Sequence, residues 1–279
     1  MEGKTVVLSG ANCGIGKQTT LELARMGAHV VMACRSRERG ELARAEVEAQ
    51  AGGRGRLEVR ELDLGSFASI RAFAEKTNAE LDRIDVLVNN AGIFPQKPMK
   101  TVEGFEAQFG VNYLGPFLLT NLLLDKLKAS APSRIVHLSS MLHARGTIDF
   151  DSFRGEKPYK ASPAYNQSKL ANLLFSNELA RRLEGTGVTS NAVHPGAIAT
   201  DITRDLPWIV RKIIGFVFKG VEYGAKAPVR LASDPALAEA TGRYWKEALE
   251  QQPSADALDP ELAARLWAYS EEACASSDS

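Results

Sequence analysis

Long apolar runs are missing from this 279-residue sequence. None approaches the ~18 consecutive apolar residues that span a bilayer, so no integral membrane segment is expected. Charge imbalance is missing as well: 34 basic residues meet 34 acidic ones. A balanced chain has no general attraction to nucleic acid or to an anionic membrane. Cysteine is scarce, with only Cys13, Cys34 and Cys274, scattered and odd in number. That argues against a disulfide framework and fits a reducing compartment. Neither these cysteines nor the four histidines fall at metal-ligand spacing, so no metal is expected. Lys4 leads at once into Thr5-Val6-Val7-Leu8, which reads as a strand and not as a targeting segment. A cytoplasmic location is the expectation.

What is present is the composition of an ordinary globular chain, 44% apolar and 24% charged. Short β-branched runs such as Val6-Val7-Leu8, Val30-Val31-Met32, Val86-Leu87-Val88 and Ile135-Val136-His137-Leu138 alternate with helical patterns around Leu21, Leu42, Ile70, Leu118 and Leu170. Strands separated by helices predict a parallel sheet covered on both faces. The expected fold class is therefore α/β, a Rossmann-type doubly wound sheet in a single domain over 1–279. Two segments interrupt the alternation. Residues 141–162 are rich in glycine, proline and charge and read as an inserted loop. Residues 201–220 carry Trp208, Ile209, Ile213, Ile214, Phe216 and Phe218, an apolar stretch that suits a substrate lid, an interface or peripheral membrane contact through 206–219.

The first strand runs into Ser9-Gly10-Ala11-Asn12-Cys13-Gly14-Ile15-Gly16-Lys17. Glycines allow a tight turn and close approach of a pyrophosphate, and the next helix offers free N–H groups and a positive dipole end. Farther along, Tyr165 and Lys169 are four apart, which on a helix stacks them one turn from each other. An ammonium beside a phenol is expected to lower the phenol's pKa from about 10 toward neutrality, so that the pair can exchange a proton.

The glycine spacing, Gly10-x-x-x-Gly14-x-Gly16, is the point at which the chain resembles the short-chain dehydrogenase/reductases. The resemblance extends through Asp63-Leu64, Asn89-Asn90-Ala91-Gly92, Asn112, Ser139-Ser140, Tyr165-x-x-x-Lys169 and His194-Pro195-Gly196. The long insertion, Ala33-Cys34-Arg35 and Leu118-Leu119-Thr120-Asn121 point to its retinol dehydrogenase-like branch. The resemblance implies a catalytic set of Asn112, Ser140, Tyr165 and Lys169. It implies cofactor contacts from Ser9, Gly10, Asn12, Cys13, Gly14, Ile15, Gly16, Arg35, Asp63, Leu64, Asn90, Ala91, Gly92, Tyr165, Lys169, Pro195, Gly196, Ile198 and Thr200. Strand two ends in Cys34-Arg35-Ser36-Arg37 with no acid. An acid there would suit the 2′-hydroxyl of NAD, whereas Arg35, helped by Arg37 or Lys17, suits the 2′-phosphate of NADP(H).

The implied reaction is hydride transfer between NADP(H) and a lipophilic alcohol, aldehyde or ketone. In it Tyr165 moves the proton, Ser140 orients the oxygen, and Lys169 tunes Tyr165 and holds the nicotinamide ribose. Asn112 is expected to fix a water next to Lys169. Two alternatives belong beside it: C=C reduction, as in protochlorophyllide reductases, and a non-catalytic NADP-binding sensor. The leucines around Leu118 and Leu170 suit either a homo-oligomer contact or burial against the sheet.

Overall fold

The structure, a computed structural model, describes residues 1–196, 220–246 and 249–275. Eight strands form one sheet in the order β3-β2-β1-β4-β5-β6-β7-β8. They are β1 (Thr5–Ser9), β2 (His29–Cys34), β3 (Arg56–Glu61), β4 (Val86–Asn89), β5 (Ser133–Leu138), β6 (Val188–His194), β7 (Tyr244–Lys246) and β8 (Leu249–Gln251). Every pairing is parallel except β7 with β8. The expected all-parallel sheet therefore carries an antiparallel edge strand, too short and too polar to stand out as a strand in the sequence. The order reverses between β1 and β4, which opens a crevice outside the carboxyl ends of the strands.

Side chains alternate across the sheet as a period of two requires. Val7, Val31, Leu87 and Ile135 face one core, and Val6, Leu8, Val30, Val88 and Val136 face the other. The first core is closed by α3 (Phe67–Glu80), α5 (Gly115–Ala129), α6 (Ala161–Arg182) and α8 (Pro260–Ala275). The second is closed by α1 (Gly14–Arg25), α2 (Arg37–Ala51) and α7 (Val221–Ser233). In α6 every residue from Asn166 to Ala180 is buried, because the sheet lies on one side and α8 on the other. Trp267 of α8 reaches Phe117 and Phe175, with ring centroids 5.0 and 5.6 Å away.

Two expectations change in detail. Asn112 is not in a plain α-helix: a short α4 (Ala107–Phe109) leads into a π-helical turn over Gly110–Leu114 before α5 begins. Glycines at both ends let neighbours come close. A Cβ on Gly110 would lie 2.2 Å from Thr101 Cγ2, and one on Gly115 would lie 2.5 Å from the Leu64 carbonyl oxygen. The 141–162 insertion is not a plain loop either. It contains 3₁₀ turns at Met141–Arg145 and Phe150–Ser152, and α6 starts inside its predicted end, at Ala161. Ile198, Thr200 and nearly all of the 201–220 segment lie outside the described residues.

Candidate active site

The glycine loop joins β1 to α1 and is propped from the side by the segment after β4. Gly10 and Gly14 have φ of 69° and 53°, in the region that favours glycine. Asn90 Nδ2 donates to the carbonyls of Ser9 and Gly10 at 2.8 and 3.2 Å, and Ser9 Oγ accepts from the N–H groups of Asn90 and Ala91. A Cβ on Gly16 would stand 2.2 Å from the Gly10 carbonyl oxygen and 2.5 Å from Asn90 Nδ2. Cys13 sits at the N-cap of α1 and makes no side-chain capping hydrogen bond, and no acid occupies the first turn of that helix. Its leading N–H groups and dipole are therefore open to an anion. A close backbone cradle beside a helix N-terminus free of acids fits the pyrophosphate of a dinucleotide.

The other predicted cofactor residues flank this cradle at the same sheet edge. Asp63 and Leu64 follow β3, and Asp63 Oδ1 accepts from the Gly65 N–H at 2.9 Å. Arg35 follows β2 and is exposed, as are Arg37 and Arg39. Lys17, the other basic residue considered for a 2′-phosphate, is instead engaged with Glu46 at 2.6 Å. Pro195 and Gly196 follow β6, with Gly196 at a φ of 98°.

The catalytic candidates converge at the ends of β4 and β5. Ser139 and Ser140 divide their work. The Ser139 hydroxyl is buried and donates to the Lys169 carbonyl at 2.8 Å, tying β5 to α6. The Ser140 hydroxyl instead faces Tyr165, where it draws the phenol's pKa down, and accepts from the Leu142 N–H at 3.2 Å. Phe94 packs edge-on against the Tyr165 ring at 5.1 Å between centroids. Lys169 Nζ lies 5.5 Å from the same ring centroid and donates to the Leu138 carbonyl at 3.0 Å. The position a Cβ would take on Gly92 is 3.6 Å from both Lys169 Nζ and Asn112 Oδ1, so the β4 segment and the π-turn meet beside the lysine.

Asn112 is held on three sides. Its Oδ1 accepts from the Ile93 N–H at 2.7 Å, and its Nδ2 donates to the Ile93 carbonyl and to Ser168 Oγ. Its amide thus fastens the π-turn to the β4 segment and to α6.

The expected electrostatics are reversed in part. Burial pushes the Tyr165 phenol up to about 12, opposed by the hydrogen bond from Ser140. Burial also pushes Lys169 down to about 8. Desolvation disfavours the charged form of each group, and the expected lowering of the phenol by the ammonium is not among the causes that act on it. At neutral pH Tyr165 is a phenol, the form that donates a proton.

His143 is a part of the site that the sequence did not single out. Its Nε2 accepts from the Ser254 N–H at 3.1 Å, so the ring proton sits on Nδ1, which donates to the Ser140 carbonyl at 2.7 Å. The ring is buried, lies 5.0 Å from Tyr244 between centroids, and is kept neutral by desolvation. A histidine three residues after a strand-end serine is a faint signal, and Ser254 lies 111 positions away.

The comparisons agree with this geometry. The model of the short chain dehydrogenase family matches residues 4–208. The chain is 47% identical to retinol dehydrogenase 14 of Homo sapiens, over 97% of this chain and 86% of that one. An uncharacterized protein from Mycobacterium Paratuberculosis has a similar structure, with a TM-score of 0.80 and 37% identity over 98% of this chain and 94% of that one. A protein described as an NAD(P) dependent gluconate 5-dehydrogenase from Beutenbergia cavernae, with bound NADP, gives a TM-score of 0.71 and 29% identity over 88% and 95% of the two chains. With its glycine cradle at the switch point of the sheet and its Ser140, Tyr165 and Lys169 gathered at the same edge, the chain belongs to the short-chain dehydrogenase family of oxidoreductases.

Proposed function

We propose that this protein is an NADP(H)-dependent oxidoreductase that interconverts a lipophilic alcohol with its aldehyde or ketone. The observation that carries the reading is the convergence on the Tyr165 phenol of Ser140, whose hydroxyl acts on its pKa, and of Lys169, whose Nζ lies 5.5 Å from the ring centroid one helical turn beyond. A carbonyl oxygen that reaches both hydroxyls accepts one hydrogen bond from Ser140 and one from Tyr165. The bound nicotinamide supplies or removes the hydride. During reduction Tyr165 gives its proton to the oxygen as negative charge develops there, and during oxidation the proton returns to Tyr165. The phenol form that burial favours is the one carbonyl reduction uses. Lys169, anchored on the Leu138 carbonyl, would hold the nicotinamide ribose when the cofactor is bound. Asn112 and Gly92 hold that lysine's surroundings. Arg35, Arg37 and Arg39 carry the case for NADP(H): three exposed guanidinium groups, with no acid between Cys34 and Arg37, suit a 2′-phosphate.

Steady-state assays with NADPH and NADH against a panel of aliphatic ketones and aldehydes test this. NADPH is expected to be oxidised with a kcat/KM at least about tenfold above that with NADH, a ratio that one charge-assisted phosphate contact supplies. Tyr165→Phe is expected to lose at least about 100-fold in kcat while binding NADPH as tightly as the parent. Near-normal turnover by that variant, or equal use of NADH, overturns the corresponding part of the reading.

A further inference from the structure

The 141–162 insertion does more than lengthen the route from β5 to α6. Together with residues 98–100 and the start of α6 it walls a cleft of about 1000 Å³. On α6 the lining residues are Pro163, Ala164 and Gln167, spaced i, i+1 and i+4 and so on one side of the helix, with Lys160 at its N-cap. At about 100° per residue, Tyr165 and Lys169 lie on roughly the opposite face of the helix. The cleft is therefore distinct from the catalytic site.

Its walls are built. Buried Gln167 accepts from the Asp149 N–H at 2.8 Å and donates to Ser152 Oγ at 3.1 Å, which pins the insertion to the helix. Met99, Ile148, Pro158, Pro163 and Ala164 supply apolar surface. The charges in the lining are four basic residues, Lys100, Arg145, Lys157 and Lys160, and two acidic ones, Glu106 and Asp149. Lys157 is taken by Asp149 at 2.6 Å. Both Glu106 oxygens accept backbone N–H groups, from Gln108 and Phe109. Lys100, Arg145 and Lys160 have no ion pair among the described residues. Beyond this, the N-terminus of α6 has no side-chain cap, which adds a positive dipole end on the same side.

A cleft that combines apolar side chains with three cations unpaired among the described residues matches a hydrocarbon chain ending in an anion. We propose that this cleft is a binding site for a long-chain carboxylate, separate from the site of hydride transfer. The cations meet the headgroup, and the Met99–Ile148–Pro163 wall takes the chain. The proposal goes beyond the catalytic reading and does not depend on it.

Isothermal titration of the full chain with dodecanoate, kept below its micelle concentration, provides the test. Dodecyltrimethylammonium and inorganic phosphate serve as comparison probes, since the first carries the chain with the opposite charge and the second the anion without a chain. Dodecanoate is expected to bind at least about tenfold more tightly than either. The triple variant Lys100→Ser, Arg145→Ser, Lys160→Ser is expected to weaken it about tenfold, the combined effect of three exposed charges. All three side chains are exposed, so the variant should fold, and its melting curve checks this. Ala164→Trp, which fills the cleft from the helix side, should independently abolish binding. NADPH added at saturation should leave the dodecanoate affinity unchanged. Absence of dodecanoate binding, undiminished binding by either variant, or competition with NADPH overturns the proposal.

Discussion

At Lys169 two demands on one side chain conflict. It is 4% exposed, and it ends in an ammonium that donates to the carbonyl of Leu138 at 3.0 Å. Burial moves it to about 8 in the folded chain, against about 10.4 in an unfolded one. A base depressed in this way destabilises the fold below the folded value. Stability is gained as pH rises from about 8 toward 10.4, where the unfolded chain binds the extra proton. Lys169→Met should therefore raise the thermal stability at pH 7 by an amount of order 1–3 kcal/mol, while abolishing turnover. The Leu138 carbonyl keeps a donor in Asn172 Nδ2 at 3.3 Å, so the substitution strands no acceptor. A calorimetric scan of both proteins at pH 7 checks the sign, and a destabilised variant would refute it.

His137 poses the same problem, with the same sign, in a more acidic pH window. It is buried between Asn89 Nδ2, which donates to its Nδ1 at 3.3 Å, and Ser190 Oγ beside its Nε2 at 3.3 Å. Burial drives it down to about 3, and His29 and His143 are also lowered. Unfolded histidines protonate near 6.5, so the unfolded state binds more protons below that value and stability falls as pH falls. His137 alone should cost about 2–3 kcal/mol between pH 6.5 and 4.5. Denaturant midpoints measured across that window should show the loss, and His137→Leu should flatten the slope even though its absolute stability is lower. An unchanged slope would place the acid sensitivity elsewhere.

At the scale of elements, the site depends on close approaches between segments that carry little side chain. The α1 N-terminus can sit against the β4 segment because Gly16 leaves room for the Gly10 carbonyl and Asn90. Gly16→Ala puts a methyl 2.2 Å from that oxygen, and backbone on one side and a pinned amide on the other cannot yield. The variant is expected to lose more than about 2 kcal/mol of stability. It should also lose NADPH binding by at least about 100-fold, because the cradle and the helix end must separate. NADPH fluorescence titration beside a melting curve distinguishes the two losses. Normal affinity in a folded variant would mean the cradle is not where the phosphates sit. The π-turn at Gly110–Leu114 is a device of the same kind: it presents Asn112 to Ile93 on one side and Ser168 on the other.

Across the whole molecule, α8 serves as a lid on the core. It packs along α6 and sets Trp267 against the contacting pair Phe117 and Phe175, while Arg182 stacks on the indole at 4.1 Å. Tyr113, buried beneath, hydrogen-bonds Ser270 of the same helix at 2.7 Å. Removing residues 260–279 should therefore uncover a contiguous apolar face on α5 and α6. The truncated chain is expected to bind a hydrophobic dye and to self-associate on size exclusion, whereas the full chain at the same concentration does neither. A monodisperse truncated chain that excludes the dye would show that α8 is dispensable.

Much of this organisation is legible along the chain because its signals are local. The alternation of β-branched strands with helices follows from burial on both faces of the sheet, and the glycine spacing follows from what a backbone must do to pass close to another backbone. Tyr165 and Lys169 are neighbours by helical period alone, and the serine pair is set at a strand end by the strand itself. Other features needed the packed molecule. Which of Ser139 and Ser140 faces Tyr165 depends on how β5 meets α6, since the Ser139 hydroxyl is spent on the Lys169 carbonyl. The tyrosine's rise to about 12, where a fall was expected, is a desolvation effect and exists only once the surroundings are folded. The partnership of His143 with Ser254, and the cleft walled by the insertion, join segments far apart in sequence. Local geometry is written in residue spacing, whereas burial and long-range hydrogen bonding belong to the fold, and these decided the charge state and the surroundings of the site.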